Sequence, residues 1–464
     1  MTSTTIRSWA YRLCGGLITC TLLGCTSLPT ITPDMARGNA APQLSGAKGP
    51  LSAERSKQIL DQLKGSRPDS NLLDRHLALE QAISDSPLSA GNKVVLLEDG
   101  PRTYDAMFAA IDAARDHINM ETYILEDDET GRRFADALIA KQRAGVQVNL
   151  IRDSVGTIRT KKEFFKRLTD AGIKVLEFNP VNPLEAKVGW DVNQRDHRKL
   201  LIVDGRIAFL GGINISSVYS GGSSSAGGSR GTGQPLPWRD TDLQVEGPVV
   251  AELQKLFIET WEKQKGEPLA KRQYFPALQR QGDEVVHAIA SAPEDPFSAI
   301  YATFISAIDS AEREVLLTNA YFVPDPQLIA SLKAAVARGV DVRLVLPGTS
   351  DAPLVFHAGR SYYDELLSAG VKIYERRRAL LHSKTALIDG VWSTVGSTNL
   401  DWRSFLHNQE LNAVILGAGF GAQLRASFEH DVANSDQIML DKWRWRSIGT
   451  RAKEAFARVW QYWL

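Results

Sequence analysis

Two short motifs in the sequence share the pattern His-x-Lys-x4-Asp, in which x is any residue. They comprise His197, Lys199 and Asp204 in the first half of the chain and His382, Lys384 and Asp389 in the second. Each is followed by a Gly-[Gly/Ser]-x-Asn segment, which ends at Asn214 or at Asn399. Histidine can act as a nucleophile or as an acid and base, and lysine supplies a positive charge. The pattern therefore predicts chemistry on a negatively charged group.

Histidine and lysine are two residues apart in each motif, so in an extended strand they project from the same face. The two asparagines add hydrogen-bond donors. Around one centre, the doubled motif would supply two residues of each type, which suits a tetrahedral anion such as phosphate. One histidine would attack phosphorus, and the other would protonate the leaving group and later deprotonate the acceptor.

A histidine that transfers protons needs a carboxylate to orient it. Asp240 and Glu410 follow the two asparagines and are predicted to be these partners. The motif aspartates are grouped with the catalytic residues as members of the pattern. However, Asp204 and Asp389 are an odd number of residues from their lysines, so on a straight strand they face away. We expect them to brace the end of the strand or the turn.

The motifs belong to a longer internal repeat with a period of about 200 residues, which indicates two homologous domains rather than a solenoid. Residues 110–113 correspond to 307–310, and 144–148 correspond to 338–342. In the first repeat, periodicity predicts helices over 104–115, 131–144 and 161–171 and strands over 117–124, 146–152, 173–177 and 199–204. Helices that alternate with short apolar strands predict an α/β architecture.

Composition excludes several classes of protein. The 464 residues include 54 Lys and Arg against 54 Asp and Glu, and this zero net charge argues against a general nucleic-acid-binding protein. All three cysteines lie in the first 25 residues. A disulfide framework, a zinc ribbon or a cysteine nucleophile is therefore excluded beyond Cys25. The sequence shows no metal-ligand spacing, and we expect neither a metal nor a cofactor.

Residues 1–24 are predicted to be a lipoprotein signal peptide. Two arginines precede an apolar stretch that is too short to span a bilayer. The stretch ends in Leu-Leu-Gly-Cys at Cys25, which resembles a bacterial lipobox and implies cleavage before Cys25 and its lipidation. An uncleaved anchor is the alternative. Both place the protein at a membrane, facing the periplasm, and Thr26 in place of Asp favours the outer membrane.

The remaining boundaries follow from composition and from the repeat. We predict a flexible tether over 25–50, a helical region over 51–90, domains over 91–265 and 291–436 joined by a linker over 266–290, and a basic, aromatic C-terminal helix over 437–464. In that last helix, Phe456, Val459, Trp460 and Trp463 recur at helical spacing beside basic residues, which predicts contact with lipid headgroups. The alternative is a terminal helix packed on the domain, with its arginines solvated.

At both motifs the chain resembles the phospholipase D superfamily, whose members carry two such halves and form a phosphohistidine intermediate without a metal. The resemblance covers about residues 92–436. Residues 320–325, 238–248 and 369–375 are similar to bacterial cardiolipin synthases. The resemblance implies two phospholipase D-like α/β domains, each a mixed sheet flanked by helices. A pseudo-twofold axis would relate them, with one active site at their interface.

The same resemblance implies a phosphatidyltransferase that moves a phosphatidyl group between phospholipids, with phosphatidylglycerol as the expected substrate. It makes His197 the nucleophile and His382 the acid and base, although the symmetry of the sequence does not distinguish them. The lipobox and a Gly/Ser-rich insertion at 220–233 depart from the family pattern and leave the acceptor open. A phospholipase D that uses water and a phosphodiesterase acting on nucleic acid are the alternatives. The neutral charge and the lipid anchor count against the latter.

Four further residues are predicted to contact the substrate, namely Tyr321 and the run of Arg376, Arg377 and Arg378. The arginines immediately precede the second motif and would bind a second phosphate or an anionic headgroup. The alternative is a solvated surface run.

Overall fold

The computed structural model describes residues 28, 30–31, 42–63, 76–77, 80–81, 83–84, 86–182, 191, 193–223 and 236–464. The predicted signal peptide with Cys25, much of the predicted tether and most of the Gly/Ser-rich insertion lie outside these residues. The residues from Ile31 to Leu464 form one structural unit.

Both halves of the repeat form strands from short runs of Val, Ile and Leu. The strands are β1 (Leu44–Gly46), β2 (Gly49–Pro50), β3 (Leu88–Glu98), β4 (His117–Thr122), β5 (Gln147–Asp153), β6 (Lys174–Phe178), β7 (Arg195–Asp196), β8 (Leu200–Val203), β9 (Ile207–Gly211), β10 (Trp238–Arg239), β11 (Thr241–Glu246), β12 (Glu284–Ser291), β13 (Glu314–Asn319), β14 (Asp341–Pro347), β15 (Lys372–Arg376), β16 (Leu380–Leu381), β17 (Lys384–Ile388), β18 (Trp392–Gly396), β19 (Asn408–Leu416) and β20 (Ser435–Ile438). Most are buried on both faces, as expected for strands covered by helices.

Helices cover the sheet and connect its strands. The α-helices are Ala53–Leu63, Asp99–Ala113, Glu129–Arg143, Lys162–Asp170, Val250–Lys263, Ala299–Ser310, Pro326–Ala337, Pro353–Arg360, Tyr363–Ser368, Trp402–Leu406, Ala418–Ala433, Leu440–Arg444 and Ile448–Val459, and short 3-10 helices occupy Ser217–Tyr219 and Gln461–Trp463. The α/β architecture predicted from the alternating pattern is confirmed.

The strands form a mixed sheet with the same order in both halves. From one edge to the other, the order is β6-β5-β4-β8-β9-β11-β3-β12-β19-β18-β17-β13-β14-β15-β20. Strands β4, β5 and β6 are parallel, as are β13, β14 and β15. The antiparallel pair of β3 and β12 lies at the centre. The two halves are therefore joined by backbone hydrogen bonds as well as by the connecting chain.

The segment between the domains is shorter than the predicted linker over 266–290. Strand β12 occupies its last part and pairs with β3 and β19. Val285, Val286 and Ile289 of this strand are buried in the core. The polar composition of the preceding residues obscured this short apolar run.

The C-terminal segment forms two helices and not the single helix predicted. Helix Leu440–Arg444 is followed by helix Ile448–Val459, and Ser447 caps the second by accepting a hydrogen bond from the backbone N–H of Thr450 at 3.1 Å. The chain then ends in the turn Gln461–Trp463. Among the described residues, no helix is both long enough and apolar enough to cross a membrane.

The motif aspartates occupy the turns after β8 and β17. The carboxylate of Asp204 accepts hydrogen bonds of 2.9, 2.8 and 3.0 Å from the backbone N–H groups of residues 115–117. Asp389 accepts bonds of 2.9, 2.8 and 3.0 Å from residues 312–314. Because these carboxylates hold the chain at the start of β4 and β13, the structure does not place them with the motif histidines. Their grouping with the catalytic residues is corrected to a structural role.

Replacement of Asp204 by Asn should destabilise the protein by about 2 kcal/mol, because an amide replaces a charged acceptor of three backbone hydrogen bonds. Asn tolerates the left-handed backbone at this position, where φ is 53°. Urea unfolding measures the change, and the exposed Asp112→Asn is the matched control. Equal stability of the two variants would contradict the bracing role.

Candidate active site

His197 lies in the loop between β7 and β8, and its partner comes from the other half of the chain. Its Nδ1 lies 3.0 and 3.1 Å from the two carboxylate oxygens of Glu410 on β19. Glu410 also accepts hydrogen bonds from Ser397 Oγ at 2.5 Å and from Asn408 Nδ2 at 3.1 Å. The orientation of the first motif histidine therefore depends on the second domain.

His382 shows the reciprocal arrangement. Its Nδ1 lies 2.7 Å from Oδ2 of Asp240, which follows β10 in the first half. The other oxygen of Asp240 accepts a hydrogen bond from the backbone N–H of Thr241 at 2.8 Å. The backbone N–H of Asp240 donates to Asp99 at 3.1 Å. The two halves thus exchange the carboxylates that hold their histidines.

Two short strand pairs across the domain boundary position this exchange. Strand β7, just before His197, pairs in parallel with the start of β19, and β10 pairs in parallel with β16, just before His382. The backbone N–H of His197 donates to the carbonyl of Gln409 at 3.0 Å, and that of His382 donates to the carbonyl of Arg239 at 2.7 Å. Each histidine is therefore fixed through its backbone next to the residue that precedes its carboxylate.

The glycines after each motif make room for these polar side chains. A Cβ atom on Gly212 would lie 2.2 Å from Oδ1 of Asp240, and one on Gly396 would lie 2.1 Å from Oδ1 of Asn412. Gly396 corresponds to Gly211 in the repeat. At the position after it, the second half has Ser397 where the first half has Gly212. Hence only the second half adds a hydroxyl group that donates to its carboxylate.

The two motif lysines are buried beside their own histidines. Lys199 Nζ donates to the carbonyl oxygen of His197 at 2.5 Å, and Lys384 Nζ lies 3.0 Å from His382 Nδ1. Burial lowers the pKa of Lys199 to about 7 and that of Lys384 to about 8. The charge of Lys384 also lowers the pKa of Lys199. The two lysines, from different halves, are therefore close enough for their charges to interact.

Both motif histidines favour the neutral imidazole. Burial lowers the pKa of His197 to about 4, against the opposing effect of Glu410. Burial also lowers the pKa of His382, and Lys384 adds to this effect. Desolvation alone would raise the pKa of Glu410, but His197 and Lys199 hold it below its usual value. An imidazole that donates from Nδ1 to a carboxylate keeps its lone pair on Nε2, as a nucleophile requires.

The two predicted asparagines differ in their hydrogen bonding. Asn214 Nδ2 donates to Tyr219 Oη at 3.1 Å, and its Oδ1 accepts from the backbone N–H of Ile124 at 3.1 Å. Within the described part of the chain, the buried Oδ1 of Asn399 has no hydrogen-bond partner. Asn214 therefore supports Tyr219, while Asn399 keeps an acceptor uncommitted.

Tyr321 and its counterpart in the repeat, Tyr123, lie at matching places. The ring of Tyr123 is 5.1 Å from that of His197, and the ring of Tyr321 is 6.0 Å from that of His382. Tyr321 Oη donates to Asp351 at 2.8 Å. The sequence prediction included Tyr321 but missed Tyr123, although the alignment of the two repeats pairs them.

Two further aromatic residues at His382 were not predicted. The ring of Trp238 lies 5.2 Å from the imidazole, and Tyr219 Oη lies 3.4 Å from Nδ1. Trp238 lies within the stretch 238–248 that resembles cardiolipin synthases, so a signal was present. Tyr219 had none, because Ser404 occupies the corresponding place in the second repeat.

The structure corrects the assignment of Arg376 to substrate binding. Its guanidinium is buried and lies 3.2 Å from Asp431, which also pairs with Arg239 at 3.0 Å. Arg377 lies 3.4 Å from Asp436. Arg378 is exposed, with φ of 56°. The structure shows no contact between this run and the motif residues, and the buried Asp431 is the physical reason for the position of Arg376.

The assembled side chains suit a phosphate group. Two buried lysines supply positive charge, and two neutral imidazoles supply a nucleophile and a proton carrier. In the part of the chain that the structure describes, no cluster of three or more His, Cys, Asp or Glu could hold a metal ion.

Comparison with known proteins gives consistent matches. The family model described as "Cardiolipin synthase, PLD-like domain" matches residues 107–219 and 304–432. The cardiolipin synthase of Alkalihalophilus pseudofirmus is 35% identical over 402 residues, which cover 86% of this chain and 77% of the relative. Cardiolipin synthase 2 of Bacillus anthracis is 35% identical over 366 residues, or 78% of this chain and 69% of that one.

A solved structure shares the fold. The crystal structure of the phosphatidylserine synthase of Haemophilus influenzae aligns with a TM-score of 0.61 at 12% identity. The alignment covers 83% of this chain and 99% of that one. The match to two repeated segments and this structural likeness agree with the predicted pair of homologous α/β domains.

Loss of either exchanged carboxylate should impair turnover of a phosphodiester. We expect Glu410→Gln and Asp240→Asn each to lower kcat by about 10²–10⁴, because the neutral amide no longer fixes the tautomer of its histidine. Steady-state kinetics measures the effect, and the exposed Glu262→Gln is the matched control. A decrease under tenfold in either variant would contradict the reciprocal arrangement.

The pH dependence should report the lysines. Because the pKa of Lys199 is lowered to about 7 and that of Lys384 to about 8, kcat/KM for an anionic phosphodiester should fall as pH rises through this range. The Lys199→Arg variant retains its charge and should shift the decline to higher pH. The exposed Lys57→Arg serves as the control. An unchanged profile in the Lys199 variant would exclude this titration.

Proposed function

Because the chain belongs to the cardiolipin synthase family of phospholipase D-like proteins, we propose that it condenses two phosphatidylglycerol molecules into cardiolipin and glycerol. It is a cardiolipin synthase-like phosphatidyltransferase. The observation that carries the proposal is the pair of histidines held by exchanged carboxylates, with two buried lysines beside them. This arrangement supports transfer in two steps at one phosphorus atom.

In the first step, Nε2 of His197 attacks the phosphorus of the donor lipid. A bond forms between nitrogen and phosphorus, and the bond from phosphorus to the oxygen of the leaving glycerol breaks. His382 gives a proton to that oxygen. The negative charge of the bound lipid favours the imidazolium form of His382, and this imidazolium supplies the proton. Lys199 and Lys384 balance the charge on the phosphoryl oxygens.

In the second step, the hydroxyl group of a second phosphatidylglycerol replaces the glycerol. His382, now neutral, removes the proton of this hydroxyl, and its oxygen forms a bond to phosphorus. The bond from phosphorus to His197 breaks, which restores both histidines. The assignment of His197 as the nucleophile follows the family resemblance.

We also propose that the protein is anchored through a lipidated Cys25 in the outer membrane and faces the periplasm. The support is the Leu-Leu-Gly-Cys sequence and the threonine that follows it. Incorporation of radiolabelled palmitate into the wild type but not into Cys25→Ser, followed by separation of the two membranes, tests the proposal. Equal labelling of the two proteins would contradict lipidation, and recovery with the inner membrane would contradict the location.

Phosphatidylglycerol vesicles incubated with the protein should yield cardiolipin and glycerol in equal amounts, measured by mass spectrometry. His197→Ala and His382→Ala should each lower the rate by at least about 10³, because each removes a group that reacts at phosphorus. The exposed His430→Ala is the matched control. Phosphatidic acid as the sole product would identify a hydrolase, and comparable cleavage of single-stranded DNA would identify a nuclease.

A further inference from the structure

Exposed apolar side chains are concentrated at the C-terminal end of the chain. Of the large hydrophobic residues exposed in the described part, six lie between positions 445 and 463, namely Trp445, Ile448, Phe456, Val459, Trp460 and Trp463. Trp445 is 89% exposed and Ile448 85%. Elsewhere in that part they are scattered, as expected for a soluble surface. A local concentration of exposed apolar side chains like this one points to an interaction surface.

The helix Ile448–Val459 directs its apolar face away from the protein. Glu454 and Ala457 are its buried residues. At 100° per residue, Ile448, Ala452, Phe456 and Val459 fall within an arc of about 80° on the opposite side. Together with the exposed Trp445, Trp460 and Trp463, this face forms what we call the C-terminal patch.

Positive charge flanks the C-terminal patch on both sides. By the same helical geometry, Arg451 and Arg458 lie on one side of the apolar face, and Lys453 lies on the other. The acidic residue of this helix, Glu454, is buried and accepts a hydrogen bond from Arg446 at 2.8 Å. An apolar stripe with tryptophan and flanking cations is the composition of helices that lie in a lipid headgroup layer.

Residues next to the patch contact the short helix Trp402–Leu406, which follows the second motif. The carbonyl oxygen of Leu464 accepts a hydrogen bond from the backbone N–H of Arg403 at 3.1 Å, and the ring of Tyr462 lies 5.7 Å from that of Trp402. These two partners belong to the short helix between Asn399 and Glu410. A surface that binds the patch is therefore linked through a few contacts to the residues around His197.

We propose that the C-terminal patch docks onto an anionic bilayer, with the helix Ile448–Val459 lying in the plane of the headgroup layer. With 12 residues, this helix is too short to span the membrane. A second copy of the patch is a poor partner, because both surfaces would carry the same positive charge. This docking deepens the proposed function, since it would bring the site to the surface that contains phosphatidylglycerol, but it does not depend on catalysis.

Site-directed labelling tests the docking directly, because the sequence contains no cysteine after Cys25. Full-length Ile448→Cys and Val459→Cys are labelled with an environment-sensitive NBD fluorophore and mixed with vesicles of phosphatidylglycerol and phosphatidylcholine. Ile158→Cys, at an exposed apolar position in the first domain, is the matched control. The unsubstituted protein, treated identically, gives the background from any cysteine in the N-terminal segment.

Emission of the two patch labels should shift to the blue and rise at least about twofold, and spin-labelled lipid should quench it. The Ile158 label should change little. Pure phosphatidylcholine or high salt should weaken the response, because the flanking cations then lose their partners. Equal responses at the patch and at Ile158, or a patch response without vesicles that tracks dimerisation in sedimentation, would overturn the proposal.

Activity provides an independent measurement. The double variant Phe456→Ser, Val459→Ser should lower the ratio of turnover on vesicles to turnover on monomeric short-chain phosphatidylglycerol by at least about tenfold. The matched double variant Ile158→Ser, Phe275→Ser should leave this ratio within twofold of the wild type. An unchanged ratio in the patch variant would overturn the proposal. Failure of all proteins to make cardiolipin would contradict the proposed function, while the labelling experiment would still report docking.

Discussion

The contact between each motif histidine and a carboxylate from the opposite half is the constraint on which the site depends. It requires β7 and β10 to cross the domain boundary and the central strands β3 and β12 to hold the two halves of the sheet in register. It also accounts for the absence of a side chain at Gly212, where a methyl group would collide with Asp240. The sheet, the crossing strands and the glycine positions all serve the same four side chains.

Burial then sets the chemical state of this group. Removal of two lysines and two histidines from water favours their neutral forms, whereas the carboxylates oppose that tendency. A bound phosphate would add negative charge, which stabilises protonated lysines and an imidazolium. Substrate would thus replace water as the partner of these buried charges. The protonation states of the lysines and histidines would then depend on whether phosphate is bound.

Spacing in the sequence predicted the histidines and lysines, because the chemistry restricts both residue type and separation. The parity of the strand predicted the position of Asp204, which faces away to bind backbone N–H groups. Arg376 was misassigned because its partner, Asp431, lies on a distant helix that no local pattern connects to it. Tyr219 was missed because the second repeat has Ser404 at the corresponding place. Strand β12 was missed because a polar stretch precedes it.

The exchange of carboxylates also determines when a newly synthesised chain can become active. During synthesis, a chain that ends before residue 382 has the first histidine without Glu410 and Asp240 without the second histidine. Such a chain contains neither oriented imidazole, so it cannot form or break a bond to phosphorus by this route. Lipid chemistry begins only when β19, the strand that carries Glu410, has joined the first half. The fold itself therefore delays activity until β19 has been made and the two domains have met.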